Sequence, residues 1–388
     1  MAFNSNFECG NLEKVIKRTE VEYDLYVNSD TNNKNRRQWF YFSVANMKMD
    51  TIKFNVMNLT KYSHFVKEGM KPSVFSERDK HLGWTNNTYQ VQIRRNLNEE
   101  VLSKGERKIK LEVGEEDNEE ETISNFILSF TYKFKYERDK VYFAFWEPYS
   151  YTRLQLFLQK HEAFLIQEAR KLSSDIQLDN ETLRTGIETL PIYYKREQLC
   201  LTLGQVPVDL ITITSKLKYF DKARKSYVIV TGRSHAAETA GSYKAEGFIK
   251  FLLSNDQTAI TLREEYIFLV IPMLNPDGVI LGNSRCSLAG CDVNRCWKNP
   301  KYDSQAAVFH LKQRISTIIK NGNQIALYCD LHGHSKAFNS FFFACNTSME
   351  KDVITWSLLR LFLRLLAKRS NALKYSQCRF GVQRDKVN

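Results

Sequence analysis

The sequence predicts an α/β protein in two parts, an N-terminal antiparallel β-sandwich followed by an α/β/α domain built on a mixed sheet. Three observations carry this expectation. From Val21 to Tyr142 short alternating apolar and polar runs follow one another without a long helical pattern; beyond residue 150 the apolar spacing becomes helical; and from residue 208 apolar strand-like runs alternate with helical ones.

In the first part, VEYDLYV, RQWFYFSV, TIKFNVMN, YQVQIRR, FILSFTYKF and KVYFAFW read as six strands separated by polar turns, a sandwich of about 140 residues. The acidic run Glu115 to Glu121, EEDNEEE, reads as a solvated loop between strands. A turn at Pro148 to Tyr151 then leads into LQLFLQKHEAFLIQEARKL, a helix, so the domain boundary is expected near Glu147, dividing the chain into 1–147 and 148–388. A length of 388 residues makes two domains the natural division, and 43% hydrophobic residues, with 25 Phe and 19 Tyr, suffice to pack both.

In the second part, VDLITITS (208–215), SYVIVTG (226–232), EYIFLVIPM (265–273), QIALYCD (324–330) and SFFFAC (340–345) are apolar on both faces, as strands covered by helices must be. Helices fit 240–254, 302–321 and 352–369, the last as an amphipathic core helix. In such a sheet the working groups gather at the carboxyl ends of strands.

Several function classes are disfavoured. No segment offers eighteen uncharged apolar residues, and Met1 to Asn11 lacks the basic-then-apolar pattern of a signal peptide, so a cytoplasmic protein without a membrane partner is expected. The eight cysteines are scattered, which fits reduced thiols; Cys286, Cys291 and Cys296, five apart, do not have a zinc-ribbon spacing and read as structural thiols. The net charge of +12 draws an acidic partner, but no nucleic-acid motif accompanies it, so nucleic acid is not the expected partner.

The chemistry begins where SYVIVTG ends. His235 and Glu238 stand three positions apart at a strand-to-helix junction, where both side chains can reach one point, as two zinc ligands must. Helix capping by His235 and a carboxylate favoured at a helix start account for the same two residues. His332, just past QIALYCD, completes a His2Glu set for one zinc per chain, and Asp330 and His334 flank it as groups to orient it. Between these segments Asn275 to Trp297, NPDGVILGNSRCSLAGCDVNRCW, leaves the sheet as a loop and presents Arg285, Asn294 and Arg295. Two guanidinium groups there suit an anionic substrate, one gripping a terminal carboxylate and the other polarising a carbonyl; ordinary surface ion pairs are the competing account.

The chain resembles the cytosolic carboxypeptidases, M14 zinc metallocarboxypeptidases that remove glutamates from side chains or C-termini of proteins, with tubulin the best-known substrate. FECGNLEKVI, EYDLYVNSDTN and QWFYFSVANM are similar to that family's amino-terminal β domain. PYSYTRLQLFLQK is similar to the opening of its catalytic domain, and TGRSHAAET, the long NPDG segment and YCDLHGHS to its zinc and substrate motifs. The resemblance implies that His235, Glu238 and His332 bind zinc, that Arg285 polarises the scissile carbonyl, and that Asn294 and Arg295 hold the substrate carboxylate. It implies a metallocarboxypeptidase fold for the second domain and glutamate-rich protein tails, tubulin among them, as partners.

The zinc motif departs from the family's RVHPGET at Ser234, Ala236 and Ala237. The family's general-base glutamate is expected after the segment resembling CRFGVQRDKVN, whereas no glutamate follows Glu350 and only Asp352 and Asp385 come later. The sequence is therefore expected to be truncated at its C-terminus. The alternative is an impaired pseudoenzyme that binds acidic tails without cutting them, since loss of a general base typically removes about 10²- to 10⁴-fold of rate.

Overall fold

The computed structural model describes residues 1–45, 48–60, 69–96, 125–172, 191–221, 223–334, 338–345 and 352–381. The acidic run at Glu115 to Glu121 and Asp385 lie outside the described residues.

Among the described residues nine strands build the first part: β1 (Ala2–Asn4), β2 (Lys14–Lys17), β3 (Glu22–Tyr26), β4 (Tyr41–Ala45), β5 (Thr51–Leu59), β6 (Ser73–Ser76), β7 (Tyr89–Arg95), β8 (Phe126–Lys133) and β9 (Lys140–Ala144). They form two sheets, in the orders β1-β4-β9-β6 and β2-β3-β5-β8-β7. Period-2 alternation points one face of each sheet inward, and the two faces meet in a single core. Phe42, Val44, Val141 and Phe143 come from one sheet, and Leu25, Phe54, Val56 and Phe130 from the other. The Phe143 ring sits at the centre, 5.1 Å from Phe54, 5.4 Å from Phe42 and 5.2 Å from Tyr132 between centroids. The expected antiparallel sandwich needs one correction. β3 and β5 pair in parallel, because the connection between them leaves the sheet to form β4 in the other sheet before returning.

The chain then enters helix α1 (Tyr151–Leu172) and a second group of strands: β10 (Ile192–Leu201), β11 (Pro207–Ser215), β12 (Ser226–Gly232), β13 (Ile267–Ile271) and β14 (Gln324–Leu331). Their order is β10-β11-β13-β12-β14, with β12 parallel to both β13 and β14 and the other pairs antiparallel, so the sheet is mixed. Between the strands lie α2 (Lys216–Phe220), α3 (Thr239–Leu252), α4 (Gln257–Glu265), α5 (Pro276–Ile280) and α6 (Ala306–Lys320).

Alternate residues of the same strands feed two separate cores. Ile211, Ile213, Val228, Val230, Phe268 and Val270 face α1 and α3, where they meet Leu158, Ile249 and Leu252. Leu210, Ile229, Leu269 and Ile271 face α6, where they meet Val308 and Leu311. This three-layer packing makes β11, β12 and β13 read as continuous apolar runs.

Two expected elements differ. SFFFAC forms no strand; it makes isolated bridges at Ser340 and Phe343 to residues 373 and 379. Its aromatic residues pack instead on helix α7 (Val353–Arg369) and the turn after it, in a small cluster around Leu363 and Cys378. The second difference is α7, which forms where the sequence places it but is not a core helix. Leu363 is its buried residue, while Ile354, Leu358, Leu361 and Leu365 are exposed. Apolar residues run nearly all round this helix, and the small cluster covers only one stripe of it. Asp352 caps its first turn, accepting the Thr355 N–H at 3.0 Å.

Candidate metal and carboxylate site

The sequence brings three segments to the carboxyl ends of β12, β13 and β14. β12 ends at Gly232, where the backbone must pass tightly: a Cβ there would come within 3.0 Å of the Pro272 carbonyl oxygen. Arg233 follows with φ 56°, in the left-handed region that non-glycine residues avoid. Its buried guanidinium holds this shape, donating from Nε to the Ala236 carbonyl at 2.7 Å and from Nη1 to the Tyr149 carbonyl and the Ser242 hydroxyl, each at 3.0 Å. The loop 233–238 is thereby folded back, with His235 and Glu238 pointing inward. From the sandwich side, Trp146 donates to the Ala237 carbonyl at 2.6 Å.

Both histidines turn Nδ1 toward the one carboxylate. His235 Nδ1 lies 2.8 Å from Glu238 Oε1, and His332 Nδ1 lies 2.8 Å from Glu238 Oε2. Donor atoms of the three residues lie within 4.8 Å of one another, and His235 is buried while the other two are half-buried. Two imidazole nitrogens and a carboxylate oxygen are a donor set that suits zinc. The outer nitrogens are held as metal-binding histidines require. His235 Nε2 is 3.0 Å from Asp292 Oδ1, and His332 Nε2 is 2.6 Å from Asp330 Oδ2. Asp330 is itself fixed by the hydroxyls of Thr231, at 2.8 Å, and Ser234, at 3.1 Å.

The electrostatics follow from this clustering. Burial raises the Glu238 carboxyl, but hydrogen bonds from His235 and His332 outweigh it and hold the group far below the usual carboxylate range. Asp292 is pulled down in the same way, against burial, by His235 and Arg285. For His332 burial opposes the charged form, yet its bonds to Asp330 and Glu238 lift it to about 9. A metal at this point takes the place of protons on the Nδ1 atoms, since histidine ligates in its neutral form.

The loop after β13 closes the site. Asn275 caps the short helix α5, accepting the Gly278 N–H at 3.1 Å, and the chain returns along the sandwich. Asp30 accepts the N–H groups of Ser284, Arg285 and Cys286 at 2.5, 2.8 and 2.8 Å, and the Ser284 hydroxyl accepts the N–H groups of Gln38 and Trp39. Arg285 then donates from Nε to Asp292 Oδ2 at 2.6 Å, so that one carboxylate joins it to His235. Asn294 is buried with its side-chain amide 3.1 Å from His332 Nε2, and Arg295 is exposed, its Nη1 3.3 Å from the Asn294 carbonyl oxygen.

The structure thus gathers His235, Glu238, His332, Arg285 and Asn294 in one place, with Arg295 at its edge. Asp330 orients His332, whereas the ring of His334 lies against Phe341 and Phe343, 5.0 and 6.1 Å away. Asp292 and Asp30 are the residues that sequence reasoning missed. A signal for Asp292 existed: a histidine ligand needs a partner for its second nitrogen, and the loop Asn275 to Trp297 offers two carboxylates for it, Asp277 and Asp292.

Residues 183–379 match the family model described as zinc carboxypeptidase, and residues 3–100 match the cytosolic carboxypeptidase N-terminal domain. The chain is 32% identical over its whole length to cytosolic carboxypeptidase 3 of Bos taurus, covering 34% of that protein. It is 33% identical to cytosolic carboxypeptidase 2 of Macaca fascicularis, covering 41% of it. It therefore spans roughly a third to two fifths of the length of these curated relatives. The fold matches a metallo-carboxypeptidase from Burkholderia cenocepacia with a TM-score of 0.69 at 19% identity, over 100% of this chain and 84% of that one. The comparisons lend no support to the binding-only alternative.

Proposed function

The chain belongs to the zinc carboxypeptidase family, in its cytosolic carboxypeptidase branch, and from that premise we propose that it removes glutamates from the C-termini or side chains of acidic protein tails such as those of tubulin. The observation that carries this reading is the convergence of His235 Nδ1, His332 Nδ1 and the Glu238 carboxylate beside a loop that bears Arg285, Asn294 and Arg295.

His235, Glu238 and His332 hold one zinc per chain. Zinc bound there supplies Lewis acidity toward a carbonyl and lowers the pKa of water. Arg285, fixed through Nε by Asp292, offers the rest of its guanidinium to the scissile carbonyl. Asn294 and Arg295 hold the terminal carboxylate of the substrate, the guanidinium matching it with two parallel N–H donors. Asp292 and Asp330 are committed to the outer nitrogens of the two histidines and Glu238 to the metal position between them, so none of the three moves substrate protons. A net charge of +12 favours encounter with a glutamate-rich tail.

In this reading residues 1–147 form the β-sandwich domain and residues 148–388 belong to the catalytic domain. The names of the relatives support a cytoplasmic location, and no helix among the described residues is long and apolar enough to cross a membrane.

The test incubates the full chain with zinc and a peptide ending in several glutamates, beside the same peptide ending in glutamines, and measures free amino acid. Glutamate release that stops with a chelator and in Glu238→Gln is expected. A protein that binds zinc but releases glutamate from neither peptide overturns the proposal.

A further inference from the structure

The outer face of the sheet β1-β4-β9-β6 carries aromatic residues where a solvent face would carry polar ones. Phe42, Val44, Val74, Val141 and Phe143 turn inward to the sandwich core, so the alternate positions Tyr41, Phe75 and Tyr142 turn outward. Phe75 and Tyr142 are partners in the register of β6 and β9, with ring centroids 6.1 Å apart. Two rings from outside the sheet join them. Phe7 lies 4.8 Å from Tyr41 and 5.7 Å from Tyr142 between centroids, and Trp84 lies 5.8 Å from Tyr41 and 5.7 Å from Phe75. All five rings are half-buried. They line an open cavity of about 620 Å³, whose wall also includes Glu8, Glu77, Lys140 and Arg153.

The charged groups of this cavity are engaged, and two of its donors are not. The Glu8 carboxylate accepts the Thr152 N–H at 3.0 and 3.3 Å, at the start of α1. Glu77 accepts the Tyr142 hydroxyl at 3.1 Å and lies 3.8 Å from Lys140 Nζ. That ammonium stands over the Tyr142 ring, 5.0 Å from its centroid. Arg153 donates to the Tyr243 hydroxyl at 2.9 Å and pairs with Glu147 at 3.5 Å. Among the described residues, by contrast, no protein group accepts a hydrogen bond from the Trp84 indole N–H or from the Tyr41 hydroxyl. Burial pushes that hydroxyl well above the usual tyrosine range, so it keeps its proton and stays a donor.

This balance selects the occupant. Saccharide hydroxyls donate as well as accept and need free acceptor oxygens, whereas Glu8 and Glu77 already have their donors. A cationic group would find the Lys140 ammonium over the ring it needs. A proline-rich segment suits the cavity better: its prolines have no N–H to satisfy, its carbonyls accept from the two free donors, and its apolar rings lie on aromatic faces. The polyproline II shape is preformed, so little entropy is lost when it docks. We propose that this face is a docking groove for a proline-rich peptide segment in the polyproline II conformation. Tyr41, Phe75, Trp84 and Tyr142 form its floor, and Trp84 Nε1 and Tyr41 Oη donate to the carbonyls of the segment. None of these residues belongs to the metal and carboxylate site, so the groove stands independently of the function proposed above.

The full chain is titrated by calorimetry with a decaproline peptide capped at both ends, beside a capped glycine-serine peptide of the same length, a maltooligosaccharide and tetramethylammonium. Saturable binding of decaproline alone is expected. Trp84→Phe and Tyr41→Phe keep an aromatic ring and remove one donor each, so each is expected to weaken binding severalfold while the thermal unfolding temperature stays close to that of the wild type. In the wild-type chain the Trp84 indole N–H resonance is expected to move as decaproline is added, which reads the same bond without a substitution. Failure of decaproline to bind at millimolar concentration, equal binding of the glycine-serine peptide, or binding of the saccharide or the ammonium ion in its place overturns the proposal. So does wild-type affinity in both variants, or an indole resonance that does not move at saturation.

Discussion

The Asp30 carboxylate accepts the backbone N–H of Arg285 at 2.8 Å, although the two residues come from opposite parts of the chain. Asp30 is 1% exposed and takes the neighbouring N–H groups of Ser284 and Cys286 as well. The sandwich is therefore part of the frame of the site: it fixes the start of the loop whose side chains face the two histidines. Asp30→Asn keeps the shape but replaces one acceptor oxygen with a donor that faces N–H groups. Hydrogen bonds to a buried charge contribute about 1.5–3 kcal/mol each, and an unsatisfied donor costs about 1–3 kcal/mol. A loss of roughly 2–4 kcal/mol in urea unfolding is expected on those grounds, together with a raised KM for any substrate that Arg285 holds.

Asp292 ties Arg285 to His235, one carboxylate oxygen to each. Asp292→Asn leaves a side chain of the same size with one oxygen fewer, so either the imidazole or the guanidinium loses its partner. Removing the outer partner of a metal-binding histidine typically costs about 10- to 100-fold in affinity. A zinc affinity lower by that factor is expected in competition with a fluorescent chelator, and Asp330→Asn is expected to act alike through His332. Unchanged affinity in both variants would show that neither carboxylate orients a ligand.

Much of this arrangement was legible in the sequence, and each part that was not has its own physical cause. VDLITITS and SYVIVTG read as strands because alternate residues feed separate cores, Ile213 and Val230 on one face, Leu210 and Ile229 on the other. The strand Ile192–Leu201 was missed because it lies at the sheet edge and carries Lys195, Arg196 and Glu197, whose charges are paired across the surface with neighbours such as Asp209 and Arg314. SFFFAC has strand composition, but its aromatic residues pack against α7 and bridge to residues 373 and 379 rather than pairing with β14. The proposed ligand residues stand out in the sequence because zinc demands particular residue types, here near strand ends. Asp30 was not legible there, because a carboxylate that accepts hydrogen bonds across about 250 residues leaves no spacing in the sequence, and Asp292, 57 residues from His235, was recoverable only by asking what holds a ligand's outer nitrogen.

Metal binding is expected to be a folding free energy as well as a catalytic need. A ligand that binds only the folded state adds about 2.7 kcal/mol of stability at a hundredfold excess over its Kd. Thermal unfolding of the full chain is expected to shift upward with zinc and downward with a chelator, with about one zinc per chain by elemental analysis. His235→Ala combined with His332→Ala should abolish both the shift and the zinc. A shift that survives in the double variant would place the metal elsewhere.

Gly241 sets how closely α3 approaches the strand that delivers His332. A Cβ on this residue would sit 2.4 Å from the Leu331 carbonyl oxygen and 3.2 Å from the Arg233 backbone nitrogen. Both neighbours are backbone, so neither can swing aside, and Gly241→Ala must push the helix off the end of β14. Helix propensity favours alanine by about 1 kcal/mol, but forced repacking of a tight contact costs about 1–3 kcal/mol. A net loss of roughly 1–2 kcal/mol is expected on balance. The displacement also separates Glu238, one residue before α3, from His332, one residue after β14, and these must stay close for their 2.8 Å contact. Zinc affinity should therefore fall further in Gly241→Ala than in Gly247→Ala, a helical position in the same element with open space around it. Equal affinities in the two variants, measured by the same chelator competition, would refute a role for this close approach in setting the ligand geometry.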